Sequence, residues 1–180
     1  MDDRTDHVDH LLAQWARQRP DLDVSAMGVI GRLKRLARLI DTELGHTFAE
    51  HGLDHASFDV LATLRRSDPP HRLTPAQLMK SSMVTSGAVS QRLDRLQAAG
   101  LVSRTPSPTD GRVVHVSLTQ EGRTLIDHTL PDHLATEQRL LAALPPEQQA
   151  TLAQTLRTVL LSLGDTHQTN DPKDPATHTR

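Results

Sequence analysis

The sequence predicts a mainly α protein with a small β hairpin, organised as a winged helix-turn-helix between N- and C-terminal dimerisation helices. Three observations carry this. A capped short helix, a turn and a second helix follow one another between Leu73 and Gly100. Two strand-like segments split by a Pro-, Asp- and Gly-rich turn come directly after, from Leu101 to Leu118. Amphipathic helical patterns lie on both sides of that module.

Taken in order, residues 6–18 read as a short helix. Arg19-Pro20-Asp21 ends it, because the residue before a proline is pushed out of the helical region. A longer helix starts near Ser25, and its Val29, Leu33, Leu36, Ile40, Leu44 and Phe48 recur every three or four positions. One face is therefore expected to be buried, with Gly52 as the stop. The segment Ala56 to Ser67 carries Phe58, Val60, Leu61, Ala62 and Leu64 on nearly all sides, the mark of a helix enclosed by others, and Asp68-Pro69-Pro70 closes it.

Thr74 and Pro75 then open a short helix as N-cap and first helical residue. Ser81 to Val84 forms the turn, and a second helix runs from Thr85 or Ser86 to Ala99, closing at Gly100 with Val89, Leu93 and Leu96 facing inward. Residues 101–104 and 113–118 read as strands, divided by Thr105 to Gly111. Beyond Thr119, helical segments near 120–129, 132–143 and 146–163 are separated by Pro131 and by Pro145-Pro146. The last has an apolar stripe, Leu152, Leu156, Val159, Leu160 and Leu163, that the small central module does not cover. Residues 1–163 are thus expected to form one domain, with 57–123 as its lobe and 6–50 and 120–163 pairing two chains. Residues 164–180, polar and without apolar period, read as a disordered tail.

The net charge of -2 hides an asymmetry. Between Ser57 and Arg123 there are nine Lys and Arg against five Asp and Glu, leaving eleven against seventeen elsewhere, so positive charge gathers where a phosphate backbone would need it. With no tyrosine and only Trp15, Phe48 and Phe58 as aromatics, stacking on single strands is disfavoured and duplex DNA is the better partner. The absence of cysteine excludes disulfides, thiolate metal sites and thiol redox sensing. No run of about 18 apolar residues exists, and the acidic start Met1-Asp-Asp-Arg is unlike a secretory signal, so a cytoplasmic protein without membrane contact is expected. No nucleophile-elbow or phosphate-binding glycine loop is present, so no catalytic residue and no cofactor is assigned. Eleven histidines raise the alternative of a zinc-responsive regulator, through His7/His10, His51/His55 or His128 and His133, but no HExxH or close triad assigns a metal site. A protein-interaction module that keeps the winged helix as scaffold is a further alternative.

In a helix-turn-helix the N-terminal residues of the second helix face base edges. With Val89, Leu93 and Leu96 inward, Gly87, Gln91 and Asp94 lie opposite, flanked by Ser90 and Arg95. Thr85 and Ser86 at the helix start, with Gly87, let the backbone approach phosphates, Gln91 can pair with adenine, and Arg95 can reach phosphate or guanine.

The run Asp110-Gly111-Arg112-Val113-Val114-His115-Val116-Ser117-Leu118-Thr119, with Leu96-Gln97-Ala98-Ala99-Gly100-Leu101-Val102-Ser103-Arg104, resembles the wing signature of the MarR family, DxRxxxVxLT. The resemblance covers roughly residues 25–163, and most strongly 57–123. It implies a homodimeric regulator on a pseudo-palindromic operator, with repression and release by a small molecule. It also implies that Arg112 sits at the wing tip, oriented by Asp110, able to enter a minor groove. The family often has a second arginine where this chain has Gly111, which implies a weaker or looser wing. The early helix with Trp15 resembles the urate-sensing branch of the family. By that resemblance Trp15, Asp59, Arg92 and Arg104 would surround an anionic or aromatic effector, urate or a phenolic compound.

Overall fold

The computed structural model describes residues 5–81, 89–107, 110 and 112–166, with the backbone alone at Val89. The chain divides into two compact units, Met1–Leu140 and Leu141–Arg180. The first unit holds helices α1 (His7–Gln18), α2 (Ser25–Glu50), α3 (His55–Arg66), α4 (Pro75–Ser81), α5 (Val89–Ala98) and α6 (Gln120–Leu140). Its strands are β1 (Arg72–Leu73), β2 (Val102–Pro106) and β3 (Val114–Leu118).

Helix α1 starts at a capping box. Asp6 Oδ1 accepts from the backbone of Val8 and Asp9, and Asp9 Oδ2 accepts from the Asp6 N–H. Arg32 of α2 then grips both carboxylates, at 2.8 Å to Asp6 and 2.6 Å to Asp9, so the cap also docks α1 on α2. Helix α3 is the enclosed one, with Phe58, Val60, Leu61 and Leu64 buried together with Phe48, Leu78, Leu93, Leu96, Val102, Val116 and Ile126 from the surrounding elements. Thr74 caps α4 as its sequence predicts, exchanging hydrogen bonds with Gln77. At the end of α5, Gly100 takes φ +72° and the Leu101 N–H returns to the Leu96 carbonyl, a left-handed stop that a side chain would strain.

Three features depart from the sequence reading. The hairpin of β2 and β3 is extended to a three-stranded antiparallel sheet of order β1-β3-β2, in which Arg72 faces Ser117 and Leu73 faces Val116. Two residues are too few to show the alternation that marks a strand. Helix α6 is continuous through Pro131, where two helices were expected. The buried Ile126, Thr129 and Thr136 hold it against α2 and α3, while Pro131 lies on the exposed side, where water can serve the carbonyl that the missing N–H leaves free. Finally, the apolar stripe of α2 is only half covered: Phe48 is buried, but Val29 is 63% and Leu36 41% exposed.

The second unit contains α7 (Pro146–Ser162), which has no buried residue. Gln149 ties the preceding turn to the helix by donating to the Leu141 and Leu144 carbonyls. Capping bonds continue past the helix to Thr166, including Asp165 N–H to Leu160 O. Residues 167–180 lie outside the described residues.

Gly122 in the first turn of α6 sits against β2's entry, and a Cβ there would overlap the Leu101 carbonyl oxygen. That carbonyl already accepts from the Thr119 N–H, so it cannot yield easily. Gly122→Ala is expected to lower unfolding stability by roughly 1–3 kcal/mol, the usual cost of overpacking, as measured by urea denaturation.

Candidate nucleic-acid interface

Helix α5 buries Leu93 and Leu96 and exposes Ser90, Gln91, Asp94 and Arg95. At about 100° per residue, Gln91 stands opposite the buried pair, with Asp94 and Arg95 on either side of it. Among the described residues none forms an ion pair with Arg95, so its guanidinium is left to solvent. Thr85 and Ser86, with Gly87, lie outside the described residues.

The wing follows from β2 and β3, paired from Val102↔Leu118 to Pro106↔Val114. Beyond the ladder, Ser107 N–H donates to Val113 O and Val113 N–H to Asp110 O. Asp110 meets Arg112 through the backbone, its Oδ1 accepting the Arg112 N–H at 3.0 Å. The orienting role implied for Asp110 thus acts on the turn, and the exposed Arg112 guanidinium has no ion-pair partner among the described residues. Gly111 lies outside the described residues. Arg95 on the helix and Arg112 on the wing are both free to meet phosphate or base.

Two other arginines are spent internally. Arg92, 15% exposed at its side chain, bonds the Asp54 carboxylate and reaches the Ser57 hydroxyl at 3.3 Å. Asp54 is also the N-cap of α3, accepting the Ser57 N–H at 2.8 Å. Burial pushes the Asp54 carboxyl up, but the Ser57 N–H and hydroxyl and the Arg92 guanidinium outweigh it and leave the group below the usual carboxylate range. Arg104 of β2 bonds Asp94 Oδ1 at 2.6 Å and the Ser90 carbonyl at 3.3 Å, fastening the wing root to α5.

Of the residues expected around an effector, Arg92, Arg104 and Trp15 each meet different partners. Arg92 and Arg104 are each held by a carboxylate that the sequence reading did not place beside them, Asp54 and Asp94 respectively. Asp59 is half-buried on α3. Trp15 lines a groove of about 400 Å³ between α1 and α2 with Val8, Leu11, Met27, Ile30 and Lys34, which includes none of the other three. An aspartate directly before an apolar helical run is an N-cap signal that points to Asp54, although nothing local points to its arginine.

Three of the histidines named as metal candidates are bound into the structure. His51 meets Asp132 at 2.8 Å, His55 meets the Asp41 carbonyl at 2.7 Å, and His133 packs on Phe58 and lies 3.3 Å from Glu137. Among the described residues no group of three or more His, Asp or Glu is placed to hold a metal ion. No helix among them is long and apolar enough to cross a membrane.

A family model described as MarR family matches residues 51–113, from the end of α2 into the wing. The chain is 39% identical over 145 residues to the HTH-type transcriptional regulator PecS of Dickeya dadantii, covering 81% of this chain and 87% of that protein. It is 29% identical over 124 residues to the HTH-type transcriptional repressor YetL of Bacillus subtilis, covering 69% and 74%. Its fold is similar to that of Sco3205, a MarR family transcriptional regulator from Streptomyces coelicolor solved in complex with DNA, with TM-score 0.71, 28% identity, and 79% and 89% of the chains covered.

The lowered Asp54 carboxyl has a pH signature. A group whose folded value lies below its unfolded one, about 3.9, contributes stability in full above that value and loses it as pH falls through the folded value. Asp54→Asn keeps the cap but cannot titrate. Thermal melts of wild type and variant should differ near neutrality and converge as pH drops below about 4.

Proposed function

The chain belongs to the MarR family of DNA-binding transcription regulators, and from that premise we propose that it acts as a cytoplasmic, homodimeric repressor released by a small anionic or aromatic ligand. The observation that carries the DNA reading is the outward face of α5, Gln91 and Arg95 opposite the buried Leu93 and Leu96, beside a wing whose Arg112 is exposed. Helix α5 enters the major groove, where Gln91 meets a base edge and Ser90 and Arg95, with Thr85 and Ser86, hold phosphates or bases. Arg112, on the turn braced by Asp110, enters the adjacent minor groove.

The dimer reading rests on uncovered apolar faces. Met27, Val29, Ile30, Leu36 and Leu39 of α2 are each exposed by two fifths or more, as are Val159, Leu160, Leu161 and Leu163 of the second unit. Faces of this kind mark association sites, and a second copy buries them symmetrically. The sign of regulation follows YetL, which is named a repressor.

For the effector, Trp15, Asp59, Arg92 and Arg104 supply an aromatic surface and two guanidinium groups. A ligand anion competes with Asp54 for Arg92 and with Asp94 for Arg104, and so acts on the helix that reads DNA. Such a ligand weakens DNA binding only by its difference in affinity for the free and DNA-bound forms, typically about 1–3 kcal/mol.

Selecting bound fragments from a random duplex library tests the core of this reading. Recovered sites should hold two half-sites about one helical turn apart, and no enrichment would refute it. On the enriched duplex, Gln91→Ala should cost on the order of 1–3 kcal/mol and relax the preference at one position, whereas Arg112→Ala should weaken all duplexes alike and flatten the salt dependence. Trp15 is the only tryptophan, so its fluorescence reports on α1 alone. Urate, then related purines and phenolic acids, should change that fluorescence and release the duplex from wild type, but less from Asp59→Asn and Arg92→Ala. If none does both, the effector assignment fails and the DNA reading stands.

A further inference from the structure

The forces that hold α5 differ in what they constrain. Burial of Leu93 and Leu96 decides which side of the helix faces inward, but apolar contact is non-directional and tolerates rotation of the helix about its own axis. Directional bonds sit on the flanks. Counting about 100° per residue, Arg92 lies about 70° to one side of the line midway between the two leucines and Asp94 about 130° to the other. Each flank is tied down: Arg92 to Asp54 and Ser57 at the start of α3, Asp94 to Arg104 of β2.

We propose that Asp54, through Arg92, sets the roll of α5 and thereby its sequence preference, with Asp94–Arg104 as the counter-tether, although Asp54 itself meets no base. This deepens the groove assignment above and rests on it. A side chain about 6 Å from the helix axis moves on the order of 2 Å for a roll of about 20°, more than the tolerance of a hydrogen bond to a base edge. Gln91, opposite the buried pair, faces the groove, so such a roll carries it sideways across the base edges. Phosphate contacts by Arg95 and Arg112 are longer-ranged and survive it.

Two features single out Asp54. It is anchored at its own end, because the same carboxylate caps α3 through the Ser57 N–H, so the tether runs to the start of the core's central helix and not to a mobile loop. The arginine is also kept at a cost: Arg92 Nε is buried and has no hydrogen-bond partner among the described residues. Packing alone would be served by an apolar residue there, without that unsatisfied donor. Asp54 is accordingly a positioning residue, and its loss differs from loss of a contact residue.

The test uses the full-length protein, the duplex enriched by wild type, and a scrambled duplex of equal length. Asp54→Asn retains the cap, since asparagine caps as well as aspartate, but loses the charge that holds Arg92. The expected result is a fall of about tenfold in the ratio of enriched to scrambled affinity, with scrambled affinity, its salt dependence and the secondary structure at neutral pH unchanged. Arg92→Gln should lower the ratio similarly, and the double variant should fall no further than either single one, because both remove the same tether. Repeating the selection with Asp54→Asn should recover a broader set of sites. A ratio kept within twofold in Asp54→Asn overturns the roll assignment while leaving the groove assignment intact. Parallel loss of enriched and scrambled affinity with lost secondary structure also overturns it, in favour of a purely structural Asp54. A wild type with no preference among duplexes overturns both readings.

Discussion

Enclosure of α3 is the constraint on which the rest of the first unit depends. Leu61 and Leu64 are fully buried, and they are reached by side chains from α2, α4, α5, β2, β3 and α6. A 12-residue helix in the middle of such a shell keeps only a half-buried strip through Ala56, Asp59 and Ala62 towards water, and both of its ends carry directional bonds. At the N-terminus Asp54 takes Arg92. At the C-terminus Arg65 bonds Asp127 of α6 at 2.7 Å and Arg66 bonds the Ser81 carbonyl that ends α4 at 2.7 Å. Helices α4, α5 and α6 are thus fixed against α3 by apolar burial for position and by an end bond for orientation.

This arrangement divides the basic residues of the lobe by task. Arg65, Arg66, Arg92 and Arg104 are committed to acceptors within the fold, two of them on or beside α5. Exposed ion pairs of this kind add little to stability, of order 0–1 kcal/mol, so their value lies in geometry. Arg72, Lys80, Arg95, Arg112 and Arg123 are exposed and remain to carry positive charge outward. The local excess of cations between Ser57 and Arg123 is therefore larger on paper than at the surface that meets a partner.

The same economy explains the outer helices. Helix α2 contributes Phe48 to the core at one end and leaves Val29 and Ile30 to solvent at the other, so it belongs to the lobe only near its C-terminus. Around Phe48, stacking with Phe58 and His133 and the buried Thr47–Thr136 hydrogen bond at 2.8 Å join α2, α3 and α6 into one junction. Packing at that junction outweighs the helix-breaking tendency of Pro131, which lies five residues before Thr136 and on the exposed side.

What the sequence by itself determined is what short-range chemistry signals. Thr74-Pro75 with Gln77, Gly100 after an apolar stripe, the paired strands between Val102 and Leu118, and the apolar pattern of α3 each act within a few residues, and each appears in the fold. The outward placement of Gln91 and Arg95 was legible for the same reason, since helical period fixes it locally, whereas the exposed Arg112 was expected only from the family resemblance. Only the tertiary structure decided the rest. The two-residue β1 exists because β3 offers it an edge, and α6 stays whole because α2 and α3 hold both halves. Arg92 turns to Asp54, 38 positions away, because folding brings the cap of α3 beside α5. Charge pairing across such separations leaves no periodic trace along a chain: the attraction depends on distance in space, which only the packed core establishes.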